Sequence, residues 1–149
     1  MSATQTSTPS QPIPLDQPLP HRKIIREWLI PLSERTTFLA FVLLIADYAL
    51  FFALIGGTLY FDAVWAKLLS GLAAGFVIGR LFIIGHDACH QSLTPHRELN
   101  KVLGRIAFLP SLTPYSLWDT GHNVVHHGYT NLKGVDFVWT PLTAADFEA

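Results

Sequence analysis

Two apolar runs of membrane length follow one another with almost nothing between them. Phe38 to Tyr60 is 23 residues long and almost wholly apolar. As a helix it would extend about 34 Å, enough to cross a hydrocarbon core of about 30 Å. Ala63 to Gly85 is a second run of the same length. Two such runs in succession favour a membrane over a buried helical pair in a soluble protein. Only Phe61 and Asp62 separate them, so a tight antiparallel hairpin is expected. Gly71, Gly75 and Gly79 recur every four residues and form a small-residue stripe that lets another helix approach closely, with Ala46, Ala49 and Ala53 as a matching surface on the first run. Asp47 is expected to face the bundle as a neutral, hydrogen-bonded group. Lys67 and Arg80 lie toward the ends of the second run, where long side chains snorkel to the interface.

The flanks fit an all-α membrane protein. Charged residues make up 14% of the chain, against about 25% in a typical soluble domain. The formal net charge of −1 gives no basis for a nucleic-acid partner. The lone cysteine, Cys89, excludes an intrachain disulfide and a CxxC zinc site, and reads as a small helix-packed residue. Residues 1–20 carry Pro9, Pro12, Pro14, Pro18 and Pro20 among Ser, Thr and Gln, and read as a disordered tail without the apolar centre of a signal peptide.

Residues 21–37 mix Arg22, Lys23, Arg26 and Arg35 with Ile24, Ile25, Trp28, Leu29 and Ile30, which suits a short helix at a membrane surface. Those four basic residues precede the first run, and Arg97, Lys101 and Arg105 follow the second. The positive-inside rule then puts the amino terminus on the cytoplasmic side, together with everything just beyond the second run. An interfacial helix is expected from Glu98 to Phe108, ended by Pro110 and Pro114. A turn at Gly134 leads to Asp136, Trp139 and Pro141.

Five of the seven histidines fall in two clusters. The first reads Gly85-His86-Asp87-Ala88-Cys89-His90 and the second Gly121-His122-Asn123-Val124-Val125-His126-His127. A four-residue step turns an α-helix by only about 40°, so His86 and His90 share a face, as do His122 and His126. His127 stands about 100° away from His126 on a regular helix, which favours two metal ions over one. Imidazole suits zinc, copper, iron and nickel. Asp87 points away from His86 along the helix and is expected to brace a histidine on a neighbouring segment. Asp119 and Asn123 are further candidates for holding ring nitrogens. His21 and His96 lie outside the clusters and read as ordinary polar residues.

The string His86-Asp87-Ala88-Cys89-His90 resembles the first histidine box of the membrane fatty acid desaturases. The string His122-Asn123-Val124-Val125-His126-His127 resembles their second box. The preceding hairpin and the trailing Asp136, Trp139 and Pro141 also fit that family, especially its acyl-lipid members, over roughly residues 25–145. Some family boxes place two residues between the first histidine and the pair; this one has three.

The resemblance implies a non-haem diiron enzyme that uses O2 to remove two hydrogens from a fatty acyl chain. Its metal ligands would include His86, His90, His122, His126 and His127. Ferredoxin or cytochrome b5 would be the type of electron donor. The family also carries a third box, His-x-x-His-His, after two further spans, and neither occurs here. The chain therefore reads as the amino-terminal part of a desaturase domain, over residues 21–149, and inactive alone. Two other readings stand beside it. One is a related membrane hydroxylase or ketolase. The other is a non-enzymatic membrane protein that binds a metal.

Overall fold

A computed structural model describes residues 18–138 and 142–148. The chain falls into two units, Met1–Arg35 and Thr36–Ala149. Most of the expected disordered tail, as well as Trp139 and Pro141, lies outside the described residues. Every regular element among the described residues is helical.

The first unit contains α1 (Arg22–Leu29), continued by a 3₁₀ turn over Ile30–Leu32 with Pro31 in it. His21 caps α1: its Nδ1 accepts from the Lys23 amide at 3.4 Å, satisfying one of the free N–H groups of a helix start. That is a local structural role for His21.

The second unit is built on α2 (Thr37–Tyr60) and α3 (Val64–Cys89), both long and apolar enough to cross a membrane. They turn at Phe61–Ala63, as expected, and run antiparallel. Near the turn Gly57 sits against Ser70, whose Oγ would lie 3.1 Å from an added Cβ. Farther along, Ala40 and Leu44 of α2 share one core with Val77, Leu81 and Ile84 of α3. The buried positions 74, 77, 81, 84 and 88 of α3 follow the three-and-four spacing of a single helix face.

The glycine stripe is not that face. Gly71, Gly75 and Gly79 are exposed, as are Ala46, Ala49 and Ala53. A Cβ at Gly75 or Gly79 would meet nothing within 4 Å. A helix that is apolar all round does not reveal which face it packs, and the seam uses larger side chains one step around the cylinder. Asp47 also departs from expectation. It is buried toward α3, but its partner is the Arg80 guanidinium, with Nη2 at 2.8 Å and Nε at 3.0 Å from Oδ1. An interhelical ion pair thus replaces the neutral group expected there, and Arg80 turns to its neighbour rather than only to the interface.

Helix α4 (Arg97–Phe108) starts one residue before the expected Glu98 and lies across the end of α3. Its entry is fixed by Asn100, whose Oδ1 accepts from the Thr94 amide at 2.8 Å and hydroxyl at 2.7 Å. His96 belongs to this turn, its amide donating to Thr94 Oγ1. Two glycines permit the close crossing. A Cβ on Gly85 would lie 2.5 Å from the Phe108 ring, and one on Gly104 would lie 2.5 Å from Tyr115 and 3.0 Å from Ala88 Cβ. Beyond Pro110 and Pro114 the chain forms α5 (Tyr115–Asp119), which runs straight into a π-helical turn over Thr120–His126. Gly134 makes its turn at φ +84°. A short α6 (Ala144–Glu148) follows.

Candidate metal centre

The first histidine cluster occupies the last turn of α3, which runs four residues past the expected end of the span. The helix stops there because Gln91 adopts a left-handed φ of +56°. The Ser92 amide then donates to Asp87 O at 2.8 Å and the Gln91 amide to Ala88 O at 3.0 Å, the paired bonds of a Schellman ending. His86 and His90 lie on one face with their Nε2 atoms 3.2 Å apart. Asp87 braces His86 itself, with Oδ1 3.1 Å from Nδ1, not a histidine elsewhere as expected. The Cβ atoms do diverge by about 100°, but the imidazole is long enough for its Nδ1 edge to swing over the neighbouring carboxylate.

The second cluster lies in the π-helical turn, and this changes the face relations read from the sequence. Hydrogen bonding from i to i+5 widens the turn, which brings residues five apart onto the same side of the helix. His122 therefore meets His127, Nε2 to Nε2, at 3.2 Å. The His122 and His126 rings are 5.2 Å apart, and His126 stands at the outer edge of the group. Its Nδ1 faces both oxygens of Asp136, at 2.9 and 3.0 Å. Asp136 is almost fully buried, and it also accepts from the amides of Asn131 and Val138, each at 3.0 Å.

The two clusters meet. Ring centroids are 5.1 Å apart for His86 and His122, 5.2 Å for His90 and His122, and 4.9 Å for His90 and His127. One ligand atom each from His86, His90 and His122 lies within 4.8 Å of the others. Trp118 stacks on His122 at 4.2 Å and meets Phe82 edge-on at 5.8 Å, so an aromatic wall backs the group. Asn123 joins the two clusters: its Nδ2 donates to Cys89 O at 3.1 Å and to Asp119 Oδ1. Asn123 thus bonds to Asp119 and to α3, and Asp119 to Asn123, rather than to an imidazole. Asn123 Oδ1 is left buried without a partner among the described residues. Cys89 itself is buried with Phe108 and Tyr115, as expected of a packing residue.

This donor set fits a metal. With bonds of about 2.05 Å, the usual imidazole–metal length, two nitrogens 3.2 Å apart subtend about 100° at one ion. Carboxylates on the Nδ1 atoms of His86 and His126 fix the tautomer that turns the Nε2 lone pair away from them. Burial, then the neighbouring imidazoles led by His127, push His122 down to about 4. Burial followed by His86 and His127 also lowers His90, against smaller opposing pulls from Asp87 and Asp119. Both are thereby held in the neutral form that binds metal. Beside His122 opens an apolar groove of about 470 Å³, lined by Thr113, Leu117, Trp118, Gly121 and Phe137 among others. The Phe137 ring passes so close that a Cβ on Gly121 would lie 2.9 Å from it.

The fatty acid desaturase family model matches residues 62–149, which include both histidine clusters and the carboxylate that braces His126. The chain belongs to the fatty acid desaturase family. An omega-6 fatty acid desaturase of chloroplasts from Glycine max is 34% identical over 88 residues, covering 58% of this chain and 20% of the relative. An sn-1 oleoyl-lipid 12-desaturase from Picosynechococcus is 38% identical over 82 residues, 54% of this chain and 23% of the relative. A fatty acid desaturase from Bacillus subtilis is 37% identical over 83 residues, with the same coverage. The chain thus spans about a fifth of the length of these curated relatives. No solved structure matches it.

Two features of this desaturase site were missed in the sequence. Asp136 lies ten residues from His126, and its bond depends on a turn closed by Gly134. The π-helical turn has no local sequence signal. Trp118 was visible only as an aromatic four residues before His122, a spacing that does place it on the same face.

Proposed function

We propose that this chain carries part of the diiron centre of a membrane acyl-lipid desaturase, with His86, His90, His122, His126 and His127 as iron ligands. The observation that supports this best is the pairing of Nε2 atoms within each box, with the rings of the two boxes in contact, beside an apolar groove. Iron bound there would supply the redox chemistry that activates O2. Overall, two hydrogens leave adjacent carbons of the acyl chain, and two electrons and two protons enter from outside. O2 is reduced to two waters as the carbon–carbon double bond forms.

The chain's own residues have distinct tasks in this reading. Asp87 and Asp136 hold the Nδ1 protons of His86 and His126, which keeps the Nε2 atoms free. Asn123 holds the second box against the end of α3. Trp118 shields one side of His122 from water. The groove takes the acyl chain, with Trp118 and Phe137 as its apolar walls and Gly121 as the point where the backbone yields space. The electron donor is a small redox protein of the ferredoxin or cytochrome b5 type. It approaches from the cytoplasmic side, where the amino terminus and both boxes lie, while the lipid enters from the bilayer.

Five imidazoles are too few to complete the coordination of two irons, so these 149 residues expressed alone form no unsaturated product. In a desaturase that contains this segment, alanine at any of the five histidines abolishes product while membrane insertion persists. Alanine at His21 or His96 leaves most of the activity. Gas chromatography of fatty acid methyl esters from a host lacking the enzyme reads all of these cases. Unsaturated product from the 149-residue chain, or retained activity in a box variant, would defeat the proposal; hydroxylated product would move it to the hydroxylases.

A further inference from the structure

We infer that α1 is an anionic-lipid recognition helix, lying on the bilayer surface with its basic side chains on acidic headgroups. This goes beyond the desaturase reading and rests only on α2 and α3 spanning a membrane. At about 100° per residue, Ile24, Ile25, Trp28 and Leu29 fill one arc of α1, and Arg22, Lys23, Arg26 and Glu27 fill the other. No residue of α1 is buried; Ile24 is 43% exposed and Leu29 54%. Ile25 and Trp28 are half-buried, so the arc is only partly covered, and the polar arc states what kind of cover suits the rest. Arg22, Lys23 and Arg26 line one open hollow of about 400 Å³. Among the described residues no carboxylate pairs with any of the three.

Three cations around one hollow, without a carboxylate partner among the described residues and above an apolar arc, match a leaflet that offers phosphate above and acyl chains below. Charge complementarity thus selects an acidic lipid surface over a neutral one. The chain also delivers α1 to such a surface, because α2 begins after only seven intervening residues, Ile30 to Thr36. The region lies outside the part matched by the desaturase model, which starts at residue 62.

The test places nitroxide labels singly through Ile25→Cys, Glu27→Cys and Phe52→Cys in a Cys89→Ala background. The protein is reconstituted in phosphatidylcholine vesicles with or without phosphatidylglycerol. Accessibility to oxygen and to a water-soluble nickel chelate reports depth. In acidic vesicles the label at 25 should be lipid-embedded and the label at 27 water-exposed. Combined Arg22→Gln, Lys23→Gln and Arg26→Gln should return the label at 25 to water, with a shift of roughly fivefold per residue and about a hundredfold in all. A label at 25 that is equally deep in neutral vesicles and indifferent to the triple change would overturn the inference. So would one shielded from both reagents, which would mean a protein cover. A water-exposed label at Phe52 would instead remove the membrane reading itself, and this inference with it. A lipid-embedded Phe52 with a water-exposed position 25 would remove only the role of α1.

Discussion

The two histidine boxes present their imidazoles to a shared centre from backbones of opposite character. The first sits on the last turn of a 26-residue helix whose inner face is part of the core. Its geometry comes almost entirely from its own helix: a four-residue step, a Schellman ending and a carboxylate next door. The second sits in a seven-residue π-helical turn with no buried residue of its own. Its geometry is held by contacts beyond the turn: Trp118 against His122, Asp136 against His126, and Cys89 O and Asp119 against Asn123. A regular helix can align ligands by spacing alone, whereas an irregular one needs struts. The second box should therefore be the fragile half of the site.

The largest contrast is expected between the two bracing carboxylates. Asp136→Asn removes a buried brace that also ties two loop amides, and should weaken metal binding about 10–100-fold. Asp87→Asn touches a half-exposed pair, with side chains 37% and 48% exposed, and should cost less than about tenfold by the same standard. Isothermal titration of ferrous ion into the purified variants compares them; equal losses would erase the distinction between the boxes.

Next comes the strut between them. Asn123→Ala should cost about 1–3 kcal/mol by leaving the Asp119 carboxylate and Cys89 carbonyl without their donor. Hydrogen exchange should show faster opening of residues 120–127 with α3 unchanged. Equal loosening of both segments would mean that the second box supports the first.

Acid acts on both boxes, through His90 in the first and His122 in the second, and the effect is gentler. His122 titrates at about 4 when folded, against 6.5 for a free imidazole. Between those values the unfolded chain binds a proton that the folded one refuses. Stability of the metal-free protein is then intact above about pH 7 and falls as pH drops from about 6.5 toward 4. Thermal melts in detergent should show this slope, flattened in His122→Asn. The smallest effect belongs to the outward glycines. Gly75→Ala meets open space and should gain up to about 1 kcal/mol of helix propensity in the same melts. A loss would mean that a partner helix occupies that stripe.

Length and apolarity were sufficient to locate both spans and their turn, and the prolines to end α4. They could not phase the hairpin, because an all-apolar cylinder shows no inside face; the real seam includes Ala40, Leu44, Val77, Leu81 and Ile84. The five box histidines stood out through spacing; Asp87 stood out as a brace, but for a histidine on another segment rather than for His86. Asp136 did not, because a loop carries it back over ten residues to His126. Nor did the His122–His127 pairing, because the π-helical turn depends on what surrounds it rather than on the strings Val124-Val125 inside it.

That turn has a consequence for how such sites are compared by letters. On an ordinary helix the spelling His-x-x-His-His aligns its first and last imidazoles, four residues apart. Here His122-x-x-x-His126-His127 aligns the first and last imidazoles five apart. The wider turn absorbs the extra residue, and His127 still brings its Nε2 to that of His122. A one-residue gap in an alignment at Val124 or Val125 is then no lesion in the site. It is a change of pitch, and families of such boxes are better sorted by the step between their end imidazoles than by the count between.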